Sequence, residues 1–189
     1  MNFRIFGPYP IPTELGRSTV TIERDDLIAF WGLVENAQVG LSAACGCYVF
    51  GLRSRTTGRQ APWYIGMAEK QTFKKECFQH HKLTLYHQAM TQRGNRSSEP
   101  IMYFVAKCTP SRGSFAKVSA AGSAAIQFVE RKFIELAVWK NEKLLNTKDT
   151  KLARELSVEG FYNSRRRGRP KPVSQLQELL GVSDGKQAS

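Results

Sequence analysis

Two tyrosines in neighbouring apolar segments are the first residues of this chain whose type and spacing suggest chemistry. Tyr48 lies in Gly-Cys-Tyr-Val-Phe-Gly-Leu and Tyr64 in Trp-Tyr-Ile-Gly-Met-Ala, with a polar loop containing Gly58 and Pro62 between them. Short runs of β-branched and aromatic residues bounded by turn residues predict a β-hairpin. Because alternate side chains of a strand share a face, this hairpin can bring both phenols together on one side of a sheet. Without further context, packing explains such tyrosines about twice as well as chemistry does.

Glu130 stands beside the apolar stripe of the clearest predicted helix, which covers residues 120–140. The stripe includes Ile126, Val129 and Phe133, at helical spacing. A carboxylate at the edge of a buried stripe is costly unless it is paired or binds a cation. From the spacing alone, an ion pair with a lysine or arginine is slightly the better explanation.

A basic segment follows the hairpin and is expected to be one helix, capped by Thr72 and running to about Met90. Its candidate groups for contacting a phosphate or moving a proton are Lys74, Lys75, His80 and His81. Taken singly, each of these side chains is more typical of a solvated basic face than of a catalyst.

Together these motifs resemble the GIY-YIG nucleases. Gly46-Cys47-Tyr48 followed by Tyr64-Ile65-Gly66 is similar to the paired signature of that family, with cysteine in place of the middle isoleucine. A basic segment with histidine, a third strand, a helix with a glutamate and an asparagine, Asn146, then follow in the order of the family. The resemblance covers about residues 46–146. It implies that Glu130 binds the metal, Mg²⁺ or Mn²⁺, and leaves Glu135 as the competitor for this role.

The chain departs from the family where the family usually holds an arginine, one turn before a histidine or tyrosine. If His80 is the later residue, the arginine position falls on Glu76, which cannot neutralise a phosphate. If the helix is shifted by one or two residues, Lys74 or Lys75 supplies the cation, without the fork of an arginine. Other neighbouring cations that could serve are Lys70, Lys82 and Arg53.

The activity that the resemblance implies is hydrolysis of phosphodiester bonds in DNA, with RNA not excluded. Tyr48 would accept a proton from the attacking water, directly or by relay, and Tyr64 or a histidine would orient that water. A lysine would stabilise charge on the phosphate, and Asn146 would position the substrate or pack the site. The implied catalytic residues are Tyr48, Tyr64, Lys74, Lys75, His80, His81 and Asn146. The alternative is a weak or inactive relative that binds nucleic acid without cutting it.

The net charge of the 189-residue chain is +12, which favours a polyanionic partner, most commonly nucleic acid. Arg167-Gly168-Arg169-Pro170 resembles an AT-hook, although general attraction to phosphates is about twice as good an explanation for such a run. The residues of this region expected to contact DNA are Arg165, Arg166, Arg167, Arg169 and Lys171. A further protein partner or a homodimer stays open.

The predicted fold is α+β, with a small, mostly antiparallel three-stranded sheet flanked by helices. Residues 1–40 are expected to form an extended arm and a helix that pack on the core, residues 41–158 the nuclease-like domain, and residues 159–189 a basic extension with a short helix. No apolar run approaches the roughly 18 residues of a membrane span, so we expect a cytoplasmic protein with no membrane partner. The four cysteines lack zinc-site spacing and are expected to be reduced thiols.

Overall fold

The structure, a computed structural model, describes residues 2–15, 20–93, 97–109, 113–146, 150 and 171–179. The chain divides into two compact units, residues 1–150 and 151–189. In chain order, the elements are β1 (Asn2–Pro10), β2 (Glu14–Leu15), β3 (Val20–Thr21), α1 (Arg24–Ala37), β4 (Gly46–Ser54), β5 (Gln60–Ala68), α2 (Phe73–Glu76), α3 (His80–Arg93), β6 (Ser98–Cys108), α4 (Ala124–Lys140) and α5 (Lys171–Leu179).

The main sheet is antiparallel and has four strands in the order β1-β6-β4-β5, so the prediction of three strands is wrong. The additional strand is the amino-terminal arm, which pairs with β6 from Asn2 opposite Cys108 to Pro10 opposite Ile101. Its register shifts between Phe6 and Tyr9, where the chain reads Gly-Pro. Proline is tolerated in an edge strand because the lost N–H donor can face away from the ladder. The prolines of the predicted arm are therefore compatible with a strand.

The predicted hairpin is formed by β4 and β5, with Tyr48 opposite Gly66 and Phe50 opposite Tyr64. A register shift follows Phe50. Strand β4 is central and buried, whereas β5 lies at the edge of the sheet.

The basic segment forms two helices, so the prediction of one continuous helix over about 72–90 is wrong. The chain leaves α2 after Glu76 and begins α3 at His80. Two side chains of α3 donate hydrogen bonds to backbone carbonyls near the break. Lys82 Nζ donates to Glu76 O at 2.9 Å, and Tyr86 Oη donates to Cys77 O at 2.9 Å. Buried carbonyls need such partners, so these bonds stabilise the break.

The sheet separates two apolar clusters. On one face, Tyr48, Phe50 and Phe104 pack with α1, α2 and α3, including Phe30 and Tyr86. The other face carries a smaller cluster.

Cys47 and Val105 pack there with Ile126 of α4, which also runs along edge strand β5. The sequence predicts an α4 that begins at Ala120, but the helix begins at Ala124, because Gly122 has a positive φ of 79° and Ser123 is extended. The sheet is thus covered by helices on both faces.

All four cysteines are buried free thiols, as expected. No helix among the described residues is long and apolar enough to cross a membrane. In the second unit, α5 has exposed leucines at Leu176 and Leu179. The rest of the expected basic extension, residues 159–170 and 180–189, lies outside the described residues.

Candidate active site

Tyr48 and Tyr64 lie on the same face of the hairpin, with their ring centroids 6.4 Å apart. The phenol of Tyr48 lies directly over the backbone of Gly66. A Cβ placed on Gly66 would lie 2.3 Å from Tyr48 Cζ and from Tyr48 Oη, closer than real Cβ contacts come. Glycine in the second motif therefore makes room for the tyrosine of the first, which gives the spacing of the two motifs a steric basis.

Tyr48 is fully buried, and its surroundings disfavour the phenolate. Burial, followed by the effect of Tyr86, raises the pKa of Tyr48 well above its ordinary value. The Tyr48 hydroxyl makes no hydrogen bond of standard geometry. It nevertheless lies close to the hydroxyls of Tyr64 and Tyr86, and this proximity partly offsets the rise in the pKa of those two phenols. Tyr48 is thus a neutral phenol at neutral pH, in contact with a second phenol that is less deeply buried.

The cation nearest to Tyr48 among the described contacts is Lys82, whose Nζ lies 5.3 Å from the centroid of the Tyr48 ring. Lys82 is buried and forms an ion pair with the carboxylate of Glu76. From the sequence, Lys82 was expected only as a substitute cation, and its pairing with Glu76 was not predicted. A signal was present, because Lys82 shares the helical spacing of Tyr86, Ala89 and Met90, all buried in α3.

Tyr64 connects this group to Glu130. Burial raises the pKa of Tyr64 to about 12, with the negative charge of Glu130 as the next cause. Glu130 also raises the pKa of Cys47, after burial, so its carboxylate lies within electrostatic reach of both strands of the hairpin. Tyr64 is only half-buried. The charge of Glu130 therefore reaches Tyr64, whereas α4 packs on the face of the sheet opposite Tyr48.

Glu135, the competitor for the metal role, has a different environment. Its carboxylate pairs with Lys132 on the same helix at 2.9 Å. This pair is the ordinary surface arrangement of two charges three residues apart in a helix. Glu130 is consequently the better placed of the two carboxylates, because its charge acts on Tyr64.

Asn146 positions β5 through the backbone of Ile65, the residue after Tyr64. Ile65 N donates to Asn146 Oδ1 at 2.9 Å, and Asn146 Nδ2 donates to Ile65 O at 2.7 Å. Both bonds are buried, and Leu145 N adds a third bond to Trp63 O at 2.9 Å. Of the two roles considered for Asn146, the geometry favours packing of the site over contact with a substrate.

Glu69 fixes the other end of α4 and was not recognised from the sequence. Its carboxylate accepts Ser123 N at 2.7 Å and Gln127 Nε2 at 3.0 Å, in the first turn of the helix that carries Glu130. Negative charge at a helix amino terminus is favourable. Glu69 and Asn146 thus hold the two ends of α4 and its following segment against β5.

The remaining predicted residues are exposed or lie outside the described residues. Lys74 and Lys75 are exposed and line a cavity against α1. His80 and His81 are exposed at the start of α3. Lys171 is the exposed first residue of α5, and the other predicted DNA-contacting residues, Arg165, Arg166, Arg167 and Arg169, lie outside the described residues.

Two carboxylates, Glu130 and Glu76, act electrostatically on Tyr64, and Glu76 is already paired with Lys82. Over residues 2–15, 20–93, 97–109, 113–146, 150 and 171–179, no three His, Cys, Asp or Glu side chains form a metal-binding cluster. Mg²⁺ is commonly held by one or two carboxylates together with water and substrate phosphates, so a single glutamate fits this mode. The four thiols, which favour softer metals, are buried in the apolar clusters or beside them.

Comparison of the chain with protein-family models, with curated proteins and with solved structures gives no match.

Proposed function

We propose that this protein is a metal-dependent endonuclease that hydrolyses phosphodiester bonds in DNA. The observation that carries the proposal is the position of Tyr64, a half-buried phenol next to Tyr48 and within the field of Glu130. A partly exposed phenol, a buried phenol behind it and a carboxylate suited to a hard cation form a minimal set for activating water at a phosphate. The net charge of +12 supports a polyanionic substrate.

In this proposal, Tyr64 contacts the attacking water, because it is the more exposed of the two phenols. Tyr48 acts by relay, through the hydroxyl of Tyr64 that lies close to its own. Neither tyrosine is ionised at neutral pH, because burial raises the pKa of both. The phenols therefore orient the water as neutral groups, and a proton that Tyr64 takes up from the water is matched by release of its own proton to solvent.

Glu130 is the residue that would hold Mg²⁺ or Mn²⁺, and the ion would supply charge neutralisation at a non-bridging phosphate oxygen. Lys82 is the cation beside Tyr48, whereas Lys74 or Lys75 was expected to stabilise charge on the phosphate. Glu76 holds the Lys82 amine and faces the same group of tyrosines. For Lys82 to contact a phosphate, the phosphate must therefore displace the Glu76 carboxylate from the Lys82 amine.

The test is cleavage of supercoiled plasmid with Mg²⁺, with Mn²⁺ and with EDTA, comparing Glu130→Gln with the wild type. Glu135→Gln is the matched control, because it removes a carboxylate from the same helix that is already paired with Lys132. We expect Glu130→Gln to lose at least about 100-fold in rate and Glu135→Gln to stay near wild type. Equal activity of Glu130→Gln and wild type would refute the metal role.

The second candidate is a nucleic-acid-binding protein without cleavage activity. Two observations favour it: Tyr48 is fully buried, and the charge of Lys82 is balanced by Glu76. Wild-type protein that binds duplex DNA in a salt-sensitive manner, yet leaves plasmid intact with either metal, would establish this candidate over the first. The basic run from Arg165 to Lys171 is proposed to add DNA affinity in both cases. The cytoplasmic location, a protein partner and a homodimer stay predictions.

A further inference from the structure

A cavity of about 480 Å³ lies between α1 and the α2 region, and the proposed active site does not use it. Its walls include Trp31 and Phe78, whose rings pack edge-to-face with centroids 5.9 Å apart. Leu27 and Ile28 extend the apolar wall along α1. Ile28 is largely exposed. The volume is within the range of pockets that hold small organic molecules.

The lining also contains three cations, Arg24, Lys74 and Lys75. Two of them are the lysines that the sequence analysis placed at the scissile phosphate. Their position together with aromatic side chains gives them another use, because proteins bind single nucleotides by stacking bases on aromatic rings and contacting phosphates with basic residues.

One carboxylate also lines the cavity, and its charge is already compensated. Gly40 N and Ser42 N donate to Glu35 at 2.7 and 2.8 Å. Burial alone would raise the pKa of Glu35, but these hydrogen bonds and the charge of Lys74 lower it. Glu35 therefore serves as an internal acceptor for the loop after α1, and Arg24 and Lys75 are left to attract an anion.

We propose that this cavity binds a nucleotide unit, an aromatic base that carries a phosphate. The base packs against the wall formed by Trp31 and Phe78, and the phosphate contacts Lys75 and Arg24. The choice of ligand rests on the proposed action on nucleic acid, and the nucleotide comes either from the bound strand or from the free pool. The cavity is a binding site separate from Tyr64 and Glu130, with no part in hydrolysis.

The experiment is titration of the full chain with dAMP and, separately, with a ten-nucleotide single strand, followed by tryptophan fluorescence and by calorimetry. Gly32→Phe fills the cavity, and Gly32→Ala is its control, because a Cβ on Gly32 meets no atom within 4 Å. Lys75→Gln removes a lining cation, and Lys140→Gln, an exposed lysine of α4, is its control.

We expect saturable binding of at least one ligand, weakened about tenfold by Gly32→Phe and by Lys75→Gln but unchanged in both controls. Saturation by dAMP identifies the free nucleotide as a source, whereas saturation by the oligonucleotide alone identifies the strand. Absence of saturable binding, or equal weakening by Lys75→Gln and Lys140→Gln, would overturn the proposal. None of these measurements involves cleavage. A negative result in the Glu130→Gln cleavage assay would therefore leave the evidence for nucleotide binding unchanged.

Discussion

The ion pair of Lys82 and Glu76 should respond asymmetrically to removal of each partner. The side chain of Lys82 is 5% exposed, whereas that of Glu76 is 18% exposed. Glu76→Gln leaves the buried Lys82 ammonium without its carboxylate partner. Its remaining described acceptor is the backbone carbonyl of residue 76, at 2.9 Å. Lys82→Met leaves a carboxylate that water can reach and that Gln71 Nε2 contacts at 2.9 Å. The first change should therefore cost more than the second.

The magnitude follows from the desolvation of each charge. Breaking a buried pair by removing one partner costs about 3–5 kcal/mol, and we expect Glu76→Gln to fall in this range. Lys82→Met should cost about 1–2 kcal/mol, because the remaining charge is partly hydrated. The double variant Glu76→Gln/Lys82→Met should lose less than about 1 kcal/mol, because neither charge is left in the site without its partner. The coupling energy between the two sites should therefore exceed about 2 kcal/mol.

Urea unfolding at pH 7, followed by far-UV circular dichroism, measures all four proteins of this cycle. Glu76→Gln should also lower Tm by about 10 °C, as expected for a domain of this size. A coupling energy under about 0.5 kcal/mol, or a larger loss for Lys82→Met than for Glu76→Gln, would show that the Lys82 amine is not held in the buried position beside Tyr48. That result would also remove Lys82 from the proposed site.

Two further predictions concern the support of β5 and the response to acid. Asn146→Ala should lose about 2–4 kcal/mol in the free energy of unfolding, because both backbone groups of Ile65 lose a buried partner. Asn141→Ala should lose about 1 kcal/mol, because its side chain makes one part-buried bond, to Pro62 O at 2.8 Å, and one exposed bond, from Lys143 N at 3.0 Å. Equal losses in urea unfolding would contradict the anchoring role. His87 Nε2 accepts a hydrogen bond from Ile22 N at 3.2 Å, and burial lowers the pKa of His87 from its ordinary value of 6.5. Its contribution to stability is therefore complete above pH 6.5 and is lost as the pH falls from there toward the folded-state pKa. Urea unfolding between pH 5 and 7.5 should show this loss in wild type and a smaller one in His87→Gln, and identical slopes would refute the assignment.

The hairpin and its two tyrosines could be predicted from the sequence because their signals are local. Alternation of side chains along β4 and β5, with a turn between them, is enough to place Tyr48 and Tyr64 on one face. The helical stripe around Glu130 is equally local. The fourth strand was missed because proline at β1 suggested an arm, and only pairing with β6 makes an edge strand of it.

The partners of the candidate site residues were less accessible to prediction. Lys82 meets Glu76 only because the chain breaks between α2 and α3, which turns a lysine of an expected surface helix into a buried amine. The sequence left open whether Asn146 contacts a substrate or packs the site, and its amide bonds the backbone of Ile65, 81 residues earlier. Such contacts join residues far apart in the chain, and no spacing rule encodes them.

The amino-acid sequence by itself determined the class of fold, the tyrosine hairpin, the helix that carries Glu130 and the strong positive charge. These properties depend on periodicity and composition, which are read within a few residues. The tertiary structure decided which phenol is open to solvent, which lysine lies beside Tyr48 and that Lys74 and Lys75 line a different cavity. The reason is that burial and charge pairing arise only when distant segments pack together. These two effects set the pKa of each side chain and whether a ligand can contact it.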